Sequence, residues 1–484
     1  VHRARSTVDV MTMVSPKKNM KDLPPDQISL RQEGFLFLNL AAPSVLIQLC
    51  LFGFWLENSL VVGNQFGSEA LAAMSLANLS GNLTGLSFIF GVLSALDTLA
   101  PQAVGAGRIH EIGLLCVRGA LLCFFLLPLP VAVWWHAEYI LLMLDQPPVV
   151  AALAATFLRY YAIAMPPMIL FECGRKFLGC QNIVRPFIWV CGFAVVVVHP
   201  YFLRFFFNDM QMGIEGAALA IAATNTVMCV LLLLHLRLNI PSEPKSKTWI
   251  FFFDGLHDPK SWGTPTLTQA LEPRQARAFL KLGLSGVLSL TEWWYWEAIA
   301  FMAGRLGTAS LAAHSIAYNV LPMGFMLPYG LSIGLTTRAG TLLGAKKPEM
   351  AITVTKWCMG LGLILISTNA LVVFCLGRQI TECFTDDEHV IEQSALIWPW
   401  LSMHLLVDGT YGLLLGVMKA LGLQFRLGVI TIAMLWVIGL PISIYYVFYL
   451  DTGIVGLWQI TPAVYFSFDV VLSLSCVLVS WAKI

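Results

Sequence analysis

Residues 428–449 run from Gly428 to Tyr449 without a single charged side chain, and residues 212–238 and 357–377 are almost as apolar. An uninterrupted apolar run of about 18 or more residues is long enough to cross the roughly 30 Å hydrocarbon core of a bilayer as a helix. A soluble core absorbs apolar residues in shorter, interrupted stretches. Composition agrees: 58% of the 484 residues are hydrophobic and 12% charged, against roughly 25% charged for an ordinary soluble domain. Membrane β-barrels show short alternating strands instead. The expected fold class is therefore an all-α polytopic membrane protein.

Twelve spans are expected, near 35–62, 69–100, 112–135, 150–171, 186–207, 213–236, 278–304, 310–335, 352–377, 391–417, 427–449 and 454–482. The net charge of +1 conceals a strong asymmetry. Lys and Arg crowd alternate connections, among them Arg108 and Arg118, Arg175 and Lys176, Lys346 and Lys347, and Lys419 and Arg426. The opposite connections carry almost none, and TDDEH at 385–389 is acidic. The positive-inside rule then places both termini in the cytoplasm. Residues 1–30 are polar and expected to be a flexible cytoplasmic N-terminus without a cleavable signal. The eleven cysteines show no CxxC and no metal-ligand spacing, so they read as small buried hydrophobes. No cofactor is expected.

An internal repeat organises the chain. FGSEALAAMSLA at 66–77 is answered by LGTASLAAHSIA at 306–317, an offset of 240 residues. After a one-residue slip, VGAGR at 104–108 is answered by LGAKK at 343–347, and LGCQ at 178–181 by LGLQ at 421–424. Two lobes of six spans follow, 31–240 and 276–484, joined by a polar, Pro-rich cytoplasmic linker at 241–275. Six is even, so the repeats run parallel and their axis lies along the membrane normal, with a site expected between them near the midplane.

Acids inside spans carry the functional signal. A carboxylate at the bilayer centre costs about 2.5–3.5 kcal/mol on insertion scales, so it faces a cavity, finds a partner or holds a proton. LTEWWYWEAIAF at 290–301 contains Glu292 and Glu297. Five residues apart on a helix, their directions differ by about 140°. One can face a cleft between lobes while the other points into its own lobe. Glu57 answers Glu297 at the repeat offset, whereas Asp408 has no acidic counterpart. Asp97, before Pro101, stands near the cytoplasmic end of its span, where solvation or a cap on a helix break competes with a coupling role. The aromatics Trp293 to Trp296 point too many ways to line one cavity together, but some ring faces there suit an organic cation.

In order along the chain, ALAAMSLAN, SALDTLAPQAVGAG, KFLGCQNIVRP, FLKLGLSG, TEWWYWE, LGTASLAAHSIAYN, LPYGLSIGLTTRAGTLLGA and GVMKALGLQ resemble the multidrug and toxic compound extrusion (MATE) family, particularly its eukaryotic branch. The resemblance spans about residues 31–482. It implies two six-helix lobes around a V-shaped cleft and proton-driven export of organic cations, drugs or amphiphilic metabolites. It also implies that Glu292, Glu297 and Asp408 occupy acidic positions of the seventh and tenth helices. Glu57, one or two residues from the first-helix Asp of bacterial members, and Asp97 are further coupling candidates from their place within spans. Gln48 and Asn82 match polar cavity positions, and Trp293 and Tyr318 match aromatics near substrate. Trp296 and Asn319 join the substrate-binding candidates; Asn319 stands where animal members carry another acid, which makes this cavity less acidic. The expected partners are a small-molecule substrate, a proton (or sodium) as coupling ion, and the lipid of a plasma, vacuolar or other internal membrane. No nucleic acid is expected, and the chain is expected to be a monomer.

Rival readings differ in their side chains. A sodium-coupled or citrate-like anion exporter would share the fold. A flippase of lipid-linked precursors would show a strongly cationic cavity, and mid-span Arg or Lys clusters are not seen. A membrane-embedded enzyme would need a His/Asp metal cluster or a Ser/Lys pair in adjacent spans, and neither is present, so no enzymatic activity is expected.

Overall fold

The computed structural model describes residues 30–238, 261–263, 265–382 and 388–481. The expected flexible N-terminus, most of the linker and the first residues of the acidic 385–389 connection lie outside the described residues. Everything else is dominated by helix, because a chain in lipid must satisfy its backbone N–H and C=O groups within the segment.

Among the described residues, eleven helices are long and apolar enough to cross a membrane. The first six are α1 (Gln32–Gly67), α2 (Glu69–Gly105), α3 (Glu111–Trp135), α4 (Pro148–Gly179), α5 (Arg185–Asp209) and α6 (Ile214–Arg237). In the second half they are α8 (Ala313–Gly344), α9 (Pro348–Glu382), α10 (Glu388–Ala420), α11 (Gln424–Tyr449) and α12 (Gly453–Leu478). The span expected at 278–304 is present but broken. It consists of α7a (Pro273–Ser289) and α7b (Thr291–Gly304), which meet at Leu290. Neither Pro nor Gly causes the break. Ser289 Oγ donates to the Gly286 carbonyl at 2.6 Å and Thr291 Oγ1 to the Leu288 carbonyl at 2.8 Å, side-chain bonds that compete with the helix ladder and bend it. Trp436 Nε1 donates to the Thr291 carbonyl at 3.1 Å.

Each lobe has its own core. One cluster draws almost wholly on the first six helices, and the other on α7b to α12 with Phe37 and Ala41 of α1. The repeat is visible in backbone detail. Gly67, between α1 and α2, has φ +80°, and its sequence counterpart Gly307, ahead of α8, has φ +114°. Nothing crowds either position; glycine is there because other residues rarely adopt such angles.

The lobes meet on the side where α1 begins and α2 and α8 end, which is the Lys/Arg-rich side. There α1 packs along α8, and α2 along α7a and α8. A buried ion pair crosses this seam: Arg338 of α8 holds Glu33 of α1 through Nη2 at 2.7 and 2.8 Å and Nε at 3.1 Å. The described end of the linker is anchored as well. Arg118 donates to the carbonyls of Ala270 (2.8 Å) and Gln269 (3.0 Å) and to Gln275 Oε1 (2.6 Å), so the segment that leads into α7a lies against α3.

Candidate functional site

The candidate residues fall into four groups. The first lies inside the C-terminal lobe. Glu292, two residues past Leu290 where α7 breaks, is 5% exposed. Its Oε1 accepts the Tyr465 hydroxyl of α12 at 2.6 Å and the Trp296 indole N–H at 3.0 Å. Trp296 is itself buried among His404, Tyr465, Tyr318 and Trp458. It therefore supports Glu292 from within the lobe and presents no open surface. Asp408 of α10 is also buried and lies within electrostatic reach of Glu292 and Asp469. No Lys or Arg forms an ion pair with Glu292, Asp408 or Asp469 among the described residues.

The second group sits at the edge of that lobe. Glu297 is only partly buried, and the Tyr318 hydroxyl of α8 approaches its Oε1 at 3.4 Å. Asn319 beside it is half-buried, and Trp293 is exposed. The two acids of α7b thus diverge, as their spacing on a helix requires. Trp294, between them, reaches across to α2, where its indole donates to Ser87 Oγ at 3.3 Å. The edge group therefore stands beside a contact between the lobes.

The third group belongs to the N-terminal lobe. Asn82 is half-buried and opens a π-helical turn, Asn82–Leu86, in α2. Such turns interrupt the regular helix ladder and are frequent at functional sites. Gln48 of α1 is buried, with Oε1 lacking a hydrogen-bond partner. Glu57 is half-buried, next to Asn58. Asn58 turns inward to His199 at 2.9 Å, and His199 reaches Thr224 at 3.0 Å.

The fourth is Asp97, which the structure places apart from the other acids. It is paired with Lys176 of α4 and, at 3.4 Å, with Lys419 of α10. It thus bridges the lobes on the basic side. Thr98 reinforces the bridge, donating to the Lys419 carbonyl at 2.5 Å, and Gln102 donates to the Ala420 carbonyl at 3.0 Å. A small cavity of about 60 Å³ between the lobes is lined by Asp97, Arg175, Lys176, Tyr329 and Lys419.

Read from sequence alone, four side chains of the C-terminal lobe go unmarked. Tyr465 is the closest donor to Glu292. His404 and His314 are buried with neither ring nitrogen hydrogen-bonded, and each packs against the rings that surround Trp296. Asp469 carries the signal that marks Asp408, an acid within an apolar run, and the same rule would have found it. The two histidines and Tyr465 give no such signal, since neutral aromatic side chains are common inside bundles.

The MatE family model matches residues 43–205 and 285–445, one copy in each lobe. The chain belongs to the MATE family. Among MATE relatives, multidrug and toxin extrusion protein 1 of Oryctolagus cuniculus is 30% identical over 437 residues, covering 88% of this chain and 72% of that one. An uncharacterized transporter of Schizosaccharomyces pombe is 30% identical over 432 residues, covering 88% of this chain and 76% of that one. The solved eukaryotic MATE transporter AtDTX14 superposes with a TM-score of 0.84 at 21% identity, over 94% of this chain and 97% of that one. The chain is thus a multi-pass membrane protein with the two-lobed MATE fold, from a family of small-molecule transporters.

Proposed function

We propose that this MATE protein is a secondary active transporter that exports organic cations, drugs or amphiphilic metabolites in exchange for protons by alternating access. The observation that carries the reading is the pair Glu292 and Asp408, buried within one lobe with no cationic partner among the described residues. A lasting charge there is costly in a bilayer. Occupancy by a proton, or by the charge of a substrate, relieves that cost, and mutual exclusion of the two is antiport. Glu297, with Tyr318, Asn319 and Trp293, offers a polar and aromatic rim for substrate on the cleft side. Gln48, Asn82 and Glu57 supply polar groups from the facing lobe.

If the basic side is cytoplasmic, the lobes are closed toward the cytoplasm, and this is an outward-facing state. Transport then requires the seam built from Glu33–Arg338 and from Asp97 with its two lysines to open in the alternate state. Asp97 serves this closure rather than proton storage.

The test is ethidium uptake into proteoliposomes with an imposed pH gradient, comparing Glu292→Gln, Glu297→Gln and Asp408→Asn with the parent. Gradient-driven uptake should fall at least tenfold in the first and last. Full gradient-driven transport in all three would overturn the assignment of the proton site. Uptake that follows sodium at fixed pH would replace the proton by sodium.

A further inference from the structure

Asp469 borders more than the interior of its lobe. It also lines a groove of about 510 Å³ between α9, α10 and α12, together with Leu363, Leu406, Thr410, Phe466 and Leu474. Leu363, Leu406, Thr410 and Phe466 lie near the middle of their helices, and Leu474 lies toward the end of α12. The groove opens on apolar side chains that the protein leaves uncovered, Leu363, Phe466 and Leu474 among them, so in a membrane it faces lipid. Its volume falls within the range of small-molecule sites, which are mostly apolar with a few fixed polar groups. Asp469 is 6% exposed, and its Oδ1 has no hydrogen-bond partner. An acid in such a position is costly unless it holds a proton or a cation pairs with it.

We infer that this groove is a second binding site, reached from the bilayer, for an amphipathic monoamine whose protonated nitrogen pairs with Asp469. Charge complementarity selects the occupant. An acyl chain alone would fill the apolar walls but leave Asp469 unpaired, and an anionic amphiphile would set like charges together. A lipophilic ammonium satisfies both parts of the groove. The site is separate from the rim formed by Glu297 and Tyr318: none of its lining residues belongs to α7b, α8 or the first six helices. Asp469 nevertheless lies within electrostatic reach of Asp408, so occupancy of the groove would be felt in the interior of the lobe.

The inference does not rest on proton-coupled export, and one experiment keeps the two apart. The full chain in lipid nanodiscs is photolabelled with dodecylamine carrying a terminal diazirine, and adducts are mapped by mass spectrometry. The corresponding dodecanol diazirine serves as the neutral control. Adducts of the amine should concentrate on 406–410 and 466–474, fall about tenfold or more in Asp469→Asn, and be competed by unlabelled dodecylamine but not by dodecanol. Leu363→Trp, which fills the groove from α9 and leaves the Asp469 carboxylate in place, should have the same effect, so a folding defect in Asp469→Asn would not hide the result. Glu292→Gln should leave the labelling intact whatever its effect on transport. Equal labelling by dodecanol, or undiminished amine labelling in Asp469→Asn, would overturn the inference and leave the groove as a seat for lipid chains.

Discussion

Gly105 of α2 and Gly344 of α8 face each other's helices in a reciprocal contact. A Cβ on Gly105 would lie 1.9 Å from the Thr341 carbonyl oxygen, and one on Gly344 would lie 2.1 Å from the Gln102 carbonyl oxygen. Each glycine meets the residue three positions before the other, which is the signature of a two-fold relation. The two glycines also answer each other in the sequence repeat, in VGAGR and LGAKK. The symmetry axis of the duplication therefore passes between these helices on the basic side, and the backbones of the lobes approach closely beside it.

Substitution of either glycine by alanine should wedge α2 from α8. Backbone atoms at about 2 Å cannot be accommodated by a side-chain adjustment, so the helices must separate. Gly105→Ala and Gly344→Ala should produce similar changes, because the contact is symmetric. Thiol-reactive labelling of cysteines introduced at Thr98 and Thr341 would measure this. Both variants should raise labelling from the basic side several-fold.

Tyr465 and Glu292 should behave as one unit. A hydrogen bond to a charged group contributes about 1.5–3 kcal/mol, and the 2.6 Å contact between them is made inside a lobe where water does not compete freely. Tyr465→Phe and Glu292→Gln should each cut gradient-driven uptake, whereas the double variant should be no worse than Glu292→Gln alone. Additive losses in this double-mutant cycle would show that the two side chains act separately.

Much of this architecture is legible in the sequence, because the bilayer admits few solutions. Apolar runs mark the spans, and paired glycine motifs mark both the lobes and the axis between them. The break at Leu290 is not legible: it arises from Ser289 and Thr291 bonding back to their own helix, and those residues occur in many unbroken spans. The acids stand out since each is expensive in lipid, but their directions do not. Glu292 and Asp97 are both acids within apolar spans, yet one is held by a phenol and an indole and the other by two lysines, and of these partners only the indole is near in sequence.

The ion pair between Glu33 and Arg338 joins the lobes, and neither side chain has more than 5% of its surface exposed. Removing one member of a buried pair typically costs about 3–5 kcal/mol, because the remaining charge is stranded. Glu33→Ala should therefore lower thermal stability in detergent substantially. The double replacement Glu33→Leu with Arg338→Met, which removes both charges, should recover much of the loss. Thermal unfolding followed by intrinsic tryptophan fluorescence would read both outcomes.

Asp97 separates a closure role from a coupling role. Its carboxylate is the shared counter-ion of Lys176, from the same lobe, and Lys419, from the other. In Asp97→Asn the two lysines face each other without it, which weakens the seam and slows the cycle. The proposed proton storage at Glu292 and Asp408 should be untouched by this change. Turnover should drop, while the number of protons exchanged per ethidium, read from parallel dye and pH-indicator signals in proteoliposomes, should stay the same. If that ratio changed in Asp97→Asn while turnover held, Asp97 would instead carry part of the proton traffic, and the bridge to the lysines would be the way it exchanges its proton with the basic side.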